Sequence, residues 1–130
     1  MGREKRKIKS LEGNCWSIGS VRPGGGLGDV TKWYQATVPG NVQSDIFAAG
    51  VVPDPYVGMQ NEQSRWIEKY DWWYRREFDA TPDDGRRTML VLEGVDYRCD
   101  VFLNGRRLAS HEGMFSPIII DITKRVDTSN

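Results

Sequence analysis

Cysteine, histidine and long apolar runs are all scarce in this sequence. It has two cysteines, Cys15 and Cys99, and one histidine, so it offers neither a disulfide framework nor a zinc motif. We expect both cysteines to be reduced, buried thiols. No apolar run is long enough to cross a bilayer, and the charged N-terminus lacks the apolar stretch of a secretory signal. The sequence therefore predicts no membrane segment and a cytoplasmic location, or a periplasmic or secreted one if an export signal was removed.

Net charge is also absent. Lys and Arg number 18, as do Asp and Glu, so no net field attracts a phosphate backbone or an anionic lipid. We therefore expect no nucleic-acid partner and no membrane partner. The chain is instead rich in aromatic residues, with five Trp, five Tyr and four Phe at a mean hydropathy of -0.57. Such rings form hydrophobic cores, and they also form platforms on which sugars stack.

The length of 130 residues suits one domain. Residues 1–10 are mostly charged, and we expect them to be frayed ahead of a single domain over residues 11–130. A first short strand is indicated by three apolar residues, Trp16, Ile18 and Val21. The glycine-rich segment 23–28 follows, but a dinucleotide-binding fingerprint would need its third glycine at position 29, which is Asp29. We expect a surface turn there.

One short helix is predicted near residues 41–49. Asn41 is a suitable N-cap, Asp45 lies close to the first turn, and Gly50 is a suitable residue just past the end. Three apolar residues have helical spacing, namely Val42, Ile46 and Phe47. Prolines after the helix exclude regular structure, so we expect a long loop over residues 51–70.

After Asp71 the sequence alternates with the period of a strand. One face of the first such strand carries Trp72, Tyr74, Arg76 and Phe78, and the other carries Trp73, Arg75 and Glu77. Further strands are expected at residues 88–93, 97–103, 106–111 and 115–122. Asn104-Gly105 predicts a type I′ hairpin turn. Short strands separated by turns indicate an all-β, antiparallel sandwich with one helix.

Five motifs, in this order, carry a resemblance to a known family. They are Val38-Pro39-Gly40-Asn41-Val42, Asp54-Pro55-Tyr56, Trp73-Tyr74-Arg75 with Phe78, Leu92-Glu93-Gly94-Val95, and Asp100-Val101-Phe102-Leu103-Asn104-Gly105. Over about residues 33–122 the chain resembles the N-terminal domain of glycoside hydrolase family 2, most closely its β-mannosidase-type members. The resemblance implies a jelly-roll sandwich of the galactose-binding-domain-like type, which agrees with the strand pattern.

The resemblance also implies where catalysis takes place. In the family, an acid/base Glu and a nucleophile Glu lie in a TIM barrel far downstream, for which this chain has no length. We therefore expect no catalytic residue, no metal and no cofactor in these 130 residues. The family's jelly roll usually continues past residue 123, so we expect this domain to lack its last strands.

Three other candidates for chemistry are weaker. Asn61-Glu62 matches the dipeptide that carries the acid/base in such barrels, but it lies in a proline-flanked loop and lacks a second carboxylate. His111, the only histidine, has Cys99 and Ser110 as the nearby nucleophiles and no orienting group. Asp83-Asp84 is a turn without the ligand spacing of a calcium loop.

The candidate site is the segment before and within the first aromatic strand. If the family geometry holds, the start of this strand faces the mouth of the barrel. The residues expected to bind carbohydrate or line its pocket are Trp66, Lys69, Asp71, Trp72 and Trp73. A domain-interface role and, for Trp72, simple core packing remain open. Trp73 is expected to be an exposed aromatic.

The sequence therefore predicts a non-catalytic domain that packs on the catalytic TIM barrel of a β-mannosidase-like enzyme and helps wall its sugar pocket. The alternative is a stand-alone carbohydrate-binding module with Trp66 and Trp73 as stacking platforms. A third interpretation is a structural fragment that forms a homodimer through an exposed sheet edge.

Overall fold

The computed structural model describes residues 8–50, 67, 69–82, 85–95, 98–113 and 117–130. Within them, the elements in chain order are β1 (Gly13–Val21), a 3₁₀ turn (Leu27–Asp29), β2 (Tyr34–Val38), α1 (Val42–Ala48), β3 (Asp71–Arg75), β4 (Met89–Leu92), β5 (Arg98–Leu103), β6 (Arg106–Glu112) and β7 (Ile118–Asp121). The described strands pair in antiparallel fashion, and α1 is the one α-helix of the described residues. The predicted all-β, antiparallel class with one short helix is confirmed. No helix in the described residues has the length and apolarity to cross a membrane.

The chain divides into two compact units, residues 1–76 and 77–130. In the first unit β1 is central and pairs with β2 and β3. Ile18 on β1 and Ile46 on α1 are both 0% exposed, and Ala36 and Ile67 complete this core. The core side chains of the sheet follow the two-residue alternation of strands, so one face of the sheet is covered by α1.

Local chemistry sets the bounds of α1. The side chain of Asn41 accepts a hydrogen bond from the backbone N–H of Ser44 at 2.8 Å, which caps the helix as predicted. Gly50 has a φ of +78°, as expected of a residue that ends a helix in the left-handed region. Between them Val42 packs against the core and Ile46 lies inside it.

The second unit contains two two-stranded ribbons, β4 with β7 and β5 with β6. Asn104 and Gly105 join β5 to β6 with φ values of 50° and 82°, which confirms the predicted type I′ turn. Leu103, Ile122 and Val126 form the core of this unit. The predicted inward residues of β7 are confirmed, since Ile118 and Ile122 are buried, Ile120 packs against the core and Ile119 is 60% exposed.

Some predictions about elements and residues were wrong. Cys15 is an exposed thiol, and Cys99 is half-buried. For Cys15 the reason is a register shift in β1 between Gly13 and Trp16, which interrupts its pairing with β2. Strand β2 was not predicted, and β3 ends at Arg75 rather than Phe78.

Other predictions stay untested. The long loop lies almost wholly at residues 51–66, outside the described residues, as do Asn61-Glu62, Asp83-Asp84 and residues 1–7. A single jelly-roll domain over residues 11–130 that lacks its last strands, preceded by a frayed segment 1–10, therefore stays a prediction.

Candidate functional site at the start of β3

Asp71 opens β3 and ties it to the glycine-rich turn. The residue pairs with Val21 at the end of β1. Its carboxylate accepts a hydrogen bond from the backbone N–H of Gly24 at 2.9 Å. The N–H of Gly25 donates to the carbonyl of Arg22 at 2.8 Å, and Gly24 has a φ of +83°. Residues 22–25 therefore form a type II turn, with proline at its second position. Asp71 thus holds the surface turn that the sequence predicts at residues 23–28.

Lys69 and Trp66 flank this anchor on its N-terminal side. Lys69 is exposed, two residues before Asp71. Trp66 lies outside the described residues. Lys69 and Asp71 therefore lie at the same end of β3, and their contact with sugar stays a prediction.

Trp72 belongs to the core of the first unit. Its ring is half-buried against the cluster around Ile18 and Ile46. The indole N–H donates to the backbone carbonyl of Ile67 at 2.8 Å, so the polar end of the ring is satisfied within the protein. Core packing, which the sequence left open for Trp72, is what the structure shows.

Trp73 lies on the opposite face of the same sheet. It pairs with Gly19 of β1, where Val30 and the carbonyl of Lys32 lie too close for a side chain to fit and Trp33 is in van der Waals contact. The guanidinium of Arg75 lies 4.0 Å from the centre of the Trp33 ring, within cation–π range. Trp73 is half-buried rather than exposed. We call Trp33, Trp73 and Arg75 the aromatic face.

Trp33 is the member of the aromatic face that sequence reasoning missed. It lies one residue before β2, outside any alternating pattern that would place it on a face. Its position depends on the chain crossing back over Gly19. The only sequence signal was an aromatic residue beside a lysine, which is too common to indicate a site.

A buried carboxylate supports β3 from the core side. Asp45 of α1 is 6% exposed and accepts hydrogen bonds from the backbone N–H of Thr37 at 3.0 Å and from the Tyr74 hydroxyl at 3.3 Å. Burial first, then the charge of Asp45 and this hydrogen bond, raise the pKa of Tyr74 far above its ordinary value. Asp45 therefore joins β2, α1 and β3.

The cysteine and histidine of the second unit lie together but are not an activated pair. Cys99 on β5 is directly opposite His111 on β6. Burial, followed by the nearby charge of Asp100, raises the pKa of the Cys99 thiol, which disfavours the nucleophilic thiolate. Ser110 donates its hydroxyl hydrogen to Asp100 at 2.6 Å and not to the imidazole. Neither side chain is prepared as a nucleophile.

Short antiparallel strands and, among the described residues, one α-helix make this a small β domain. A family model described as the glycosyl hydrolase 2 galactose-binding domain-like family matches residues 16–130. The chain belongs to this family.

Individual relatives agree. A probable beta-mannosidase of Caenorhabditis elegans is 33% identical over 88 residues, which are 67% of this chain and 10% of that protein. The beta-mannosidase of Bos taurus is 34% identical over 123 residues, 93% of this chain and 13% of that protein. In the crystal structure of Beta-D-Mannosidase from Dictyoglomus thermophilum, a region at 28% identity matches with a TM-score of 0.82, covering 95% of this chain and 14% of that one.

These matches confirm the predicted family, its β-mannosidase-like branch and the galactose-binding-like jelly-roll fold. The chain corresponds to the N-terminal domain of β-mannosidase-like proteins of glycoside hydrolase family 2. It spans only about a tenth to a seventh of these relatives, 10% to 14% of their length.

Proposed function

We propose that this chain is a non-catalytic accessory domain, which packs on the catalytic TIM barrel of a β-mannosidase-like enzyme and helps wall its sugar pocket. The observation that carries the proposal is the family match over residues 16–130, joined to the small share of each relative that it represents. A sandwich of this size supplies shape and contacts, whereas glycoside hydrolysis requires two carboxylates held across the scissile bond.

The first test is an activity assay on the chain alone. The 130-residue chain should release no nitrophenol from 4-nitrophenyl β-mannoside above the rate without protein. The matched positive control is a full-length enzyme that contains this domain. Turnover by the isolated chain would overturn the proposal.

The second test concerns the start of β3. In a full-length enzyme containing this domain, Lys69→Ala and Asp71→Ala should raise KM or lower kcat by about tenfold, as expected for the loss of a charged contact to substrate. Asp71→Asn separates the loss of the negative charge from the loss of the hydrogen bond to Gly24, because an amide oxygen still accepts that bond. Normal kinetics in both alanine variants would rule out a pocket-lining role.

The aromatic face supports a second candidate, a carbohydrate-binding module. Trp33 and Trp73 are both partly accessible and lie beside the exposed Arg75, a combination of ring and charge that suits sugar stacking. Calorimetric titration with mannose, galactose and glucosamine oligosaccharides separates the candidates. Millimolar or tighter binding that Trp73→Ala abolishes and Arg98→Ala preserves would favour the module; no heat favours the accessory domain.

A cytoplasmic location is part of the proposal. Cys15 and Cys99 are free thiols, as is usual for proteins kept in a reducing compartment. Fractionation of cells that express the native gene tests it. Recovery from the periplasm or medium would place the protein outside.

A further inference from the structure

The second unit is acidic overall, yet it gathers its cations in one place. Residues 77–130 contain seven Lys and Arg against ten Asp and Glu. Four of the seven cations line one open depression of about 830 Å³, and two carboxylates accompany them among the described lining residues. We call these four the basic depression: Arg87, Arg106, Lys124 and Arg125. An acidic unit would not concentrate its cations by composition alone.

Ion pairing separates these cations from others of the unit. Arg98 pairs with Glu112 at 3.7 Å, and Arg107 pairs with Asp100 at 3.1 Å. Among the residues that the structure describes, the four cations of the basic depression form no ion pair. The depression thus holds positive charge that no described carboxylate neutralises by direct contact.

The two carboxylates of the described lining, Asp121 and Asp127, offset only part of this charge. Asp121 accepts hydrogen bonds from both the backbone N–H and the hydroxyl of Thr123. These bonds, helped by the charges of Arg87 and Lys124, hold the pKa of Asp121 below its ordinary range. A lowered pKa keeps Asp121 ionised, and in the described lining four positive charges face two negative ones.

The backbone beneath the cations is held in place. The N–H of Ile122 donates to Thr88 at 2.9 Å, and the N–H of Val126 donates to Ile122 at 2.9 Å. The side-chain amide of Asn104, at the hairpin turn, donates to the carbonyl of Arg125 at 3.4 Å and to Asn130 at 3.0 Å. A fixed backbone lowers the entropy lost when a ligand binds.

The chemistry of the lining selects the ligand. Three of the four cations are arginines, whose planar forks bind carboxylates through paired hydrogen bonds. Among the described lining residues there is no aromatic ring, so these residues offer a sugar ring no stacking platform. We propose that the basic depression is a docking surface for an acidic protein segment, rich in Asp and Glu side chains. It shares no residue with the aromatic face, and binding there does not depend on the accessory-domain function.

The experiment uses the complete 130-residue chain and an acetylated hexaglutamate peptide as the probe, titrated by calorimetry. The chain should bind the peptide, and added salt should weaken the complex because exposed charge pairs are screened. R106E/K124E should weaken binding by about tenfold or more, since two attractive charges become repulsive. The neutral variant R106Q/K124Q gives the same reading if the reversed one does not fold.

The matched control is R98E/R107E, which changes the net charge equally on the same unit but outside the depression. It should change the affinity for the peptide by no more than about threefold, because only the long-range effect of the altered net charge remains. Equal loss in both double variants would overturn the proposal as non-specific attraction. Absence of peptide binding would also overturn it, and so would preferential binding of a trigalacturonate oligosaccharide, since that outcome identifies an acidic sugar as the ligand.

Discussion

At the scale of single residues, Asp45 and Tyr74 show how one contact can unite sequence-distant segments. Asp45 is acidic and lies near the start of a helix, where the sequence predicts a favourable interaction with the N-terminal N–H groups. Its side chain instead bonds the backbone of β2 and the hydroxyl of Tyr74 on β3. A buried carboxylate needs such donors, because leaving it unpaired is costly.

Tyr74→Phe should change how stability depends on alkaline pH. The pKa of Tyr74 is raised in the folded state, so above pH 10.0 the unfolded chain releases a proton that the folded chain keeps. The free energy of unfolding must then fall as pH rises, and this part of the slope disappears in Tyr74→Phe. At neutral pH the variant should also lower the free energy of unfolding by about 1 kcal/mol, because the hydrogen bond to Asp45 is lost.

Urea unfolding on both sides of pH 10.0 measures this effect. Tyr34→Phe is the control, since Tyr34 on β2 pairs with Ile18 of β1 just as Tyr74 does from β3 on the other side. The explanation fails if Tyr74→Phe and Tyr34→Phe have identical pH slopes.

At the scale of elements, the β5–β6 hairpin was predicted most completely. Asn104-Gly105 is a local signal, because both residues must adopt positive φ and few other pairs do so cheaply. The alternation of side chains along β5 then places Leu103 in the core and exposes Phe102 on the other face. Both features need only adjacent residues, so the sequence was sufficient.

Gly105→Ala tests the hairpin. At a φ of +82° a Cβ should cost about 1 to 2 kcal/mol of unfolding free energy. Gly28→Ala is the matched control, because Gly28 has open space around it and no positive φ. Chemical denaturation of both variants compares them, and an equal effect at the two positions would contradict the assigned turn geometry.

Sheet pairing, in contrast, was not predictable at this scale. β1 lies between β2 and β3, although β3 follows β2 only after a long intervening segment. β4 pairs with β7 across an intervening hairpin. Such non-local pairings depend on which apolar faces meet, and alternation within one strand does not encode its neighbour.

At the scale of the whole molecule, an apolar surface remains uncovered. Met89, Val91 and Ile119 are 46%, 50% and 60% exposed, and Val91 pairs directly with Ile119 on the β4–β7 ribbon. Side chains of this kind on one face of a ribbon favour association with another surface.

The 130-residue chain is therefore expected to self-associate at high concentration. V91K/I119K should shift it toward the monomer, because charges on the ribbon oppose its burial. Light scattering over a concentration series measures the effect, with Ile8→Lys as the control, since Ile8 is 84% exposed in the N-terminal segment. A clean monomer of the parent chain at every concentration would rule out this interface.

The candidate site was predictable in part. The order of motifs indicated the family, and the family match confirms it. The sequence placed Trp72 and Trp73 on opposite faces of one strand, as observed. It did not show that Asp71 holds the Gly24 turn, that Trp33 joins Arg75, or that Cys15 is exposed.

By itself, the sequence determined the class of fold, the capped helix, the Asn-Gly hairpin and the family, because each depends on spacing and on backbone preferences of neighbouring residues. The tertiary structure alone decided which strands pair, which carboxylate is buried and where unpaired cations converge. Those outcomes depend on burial and on distances between residues far apart in the chain, and periodicity carries no information about either.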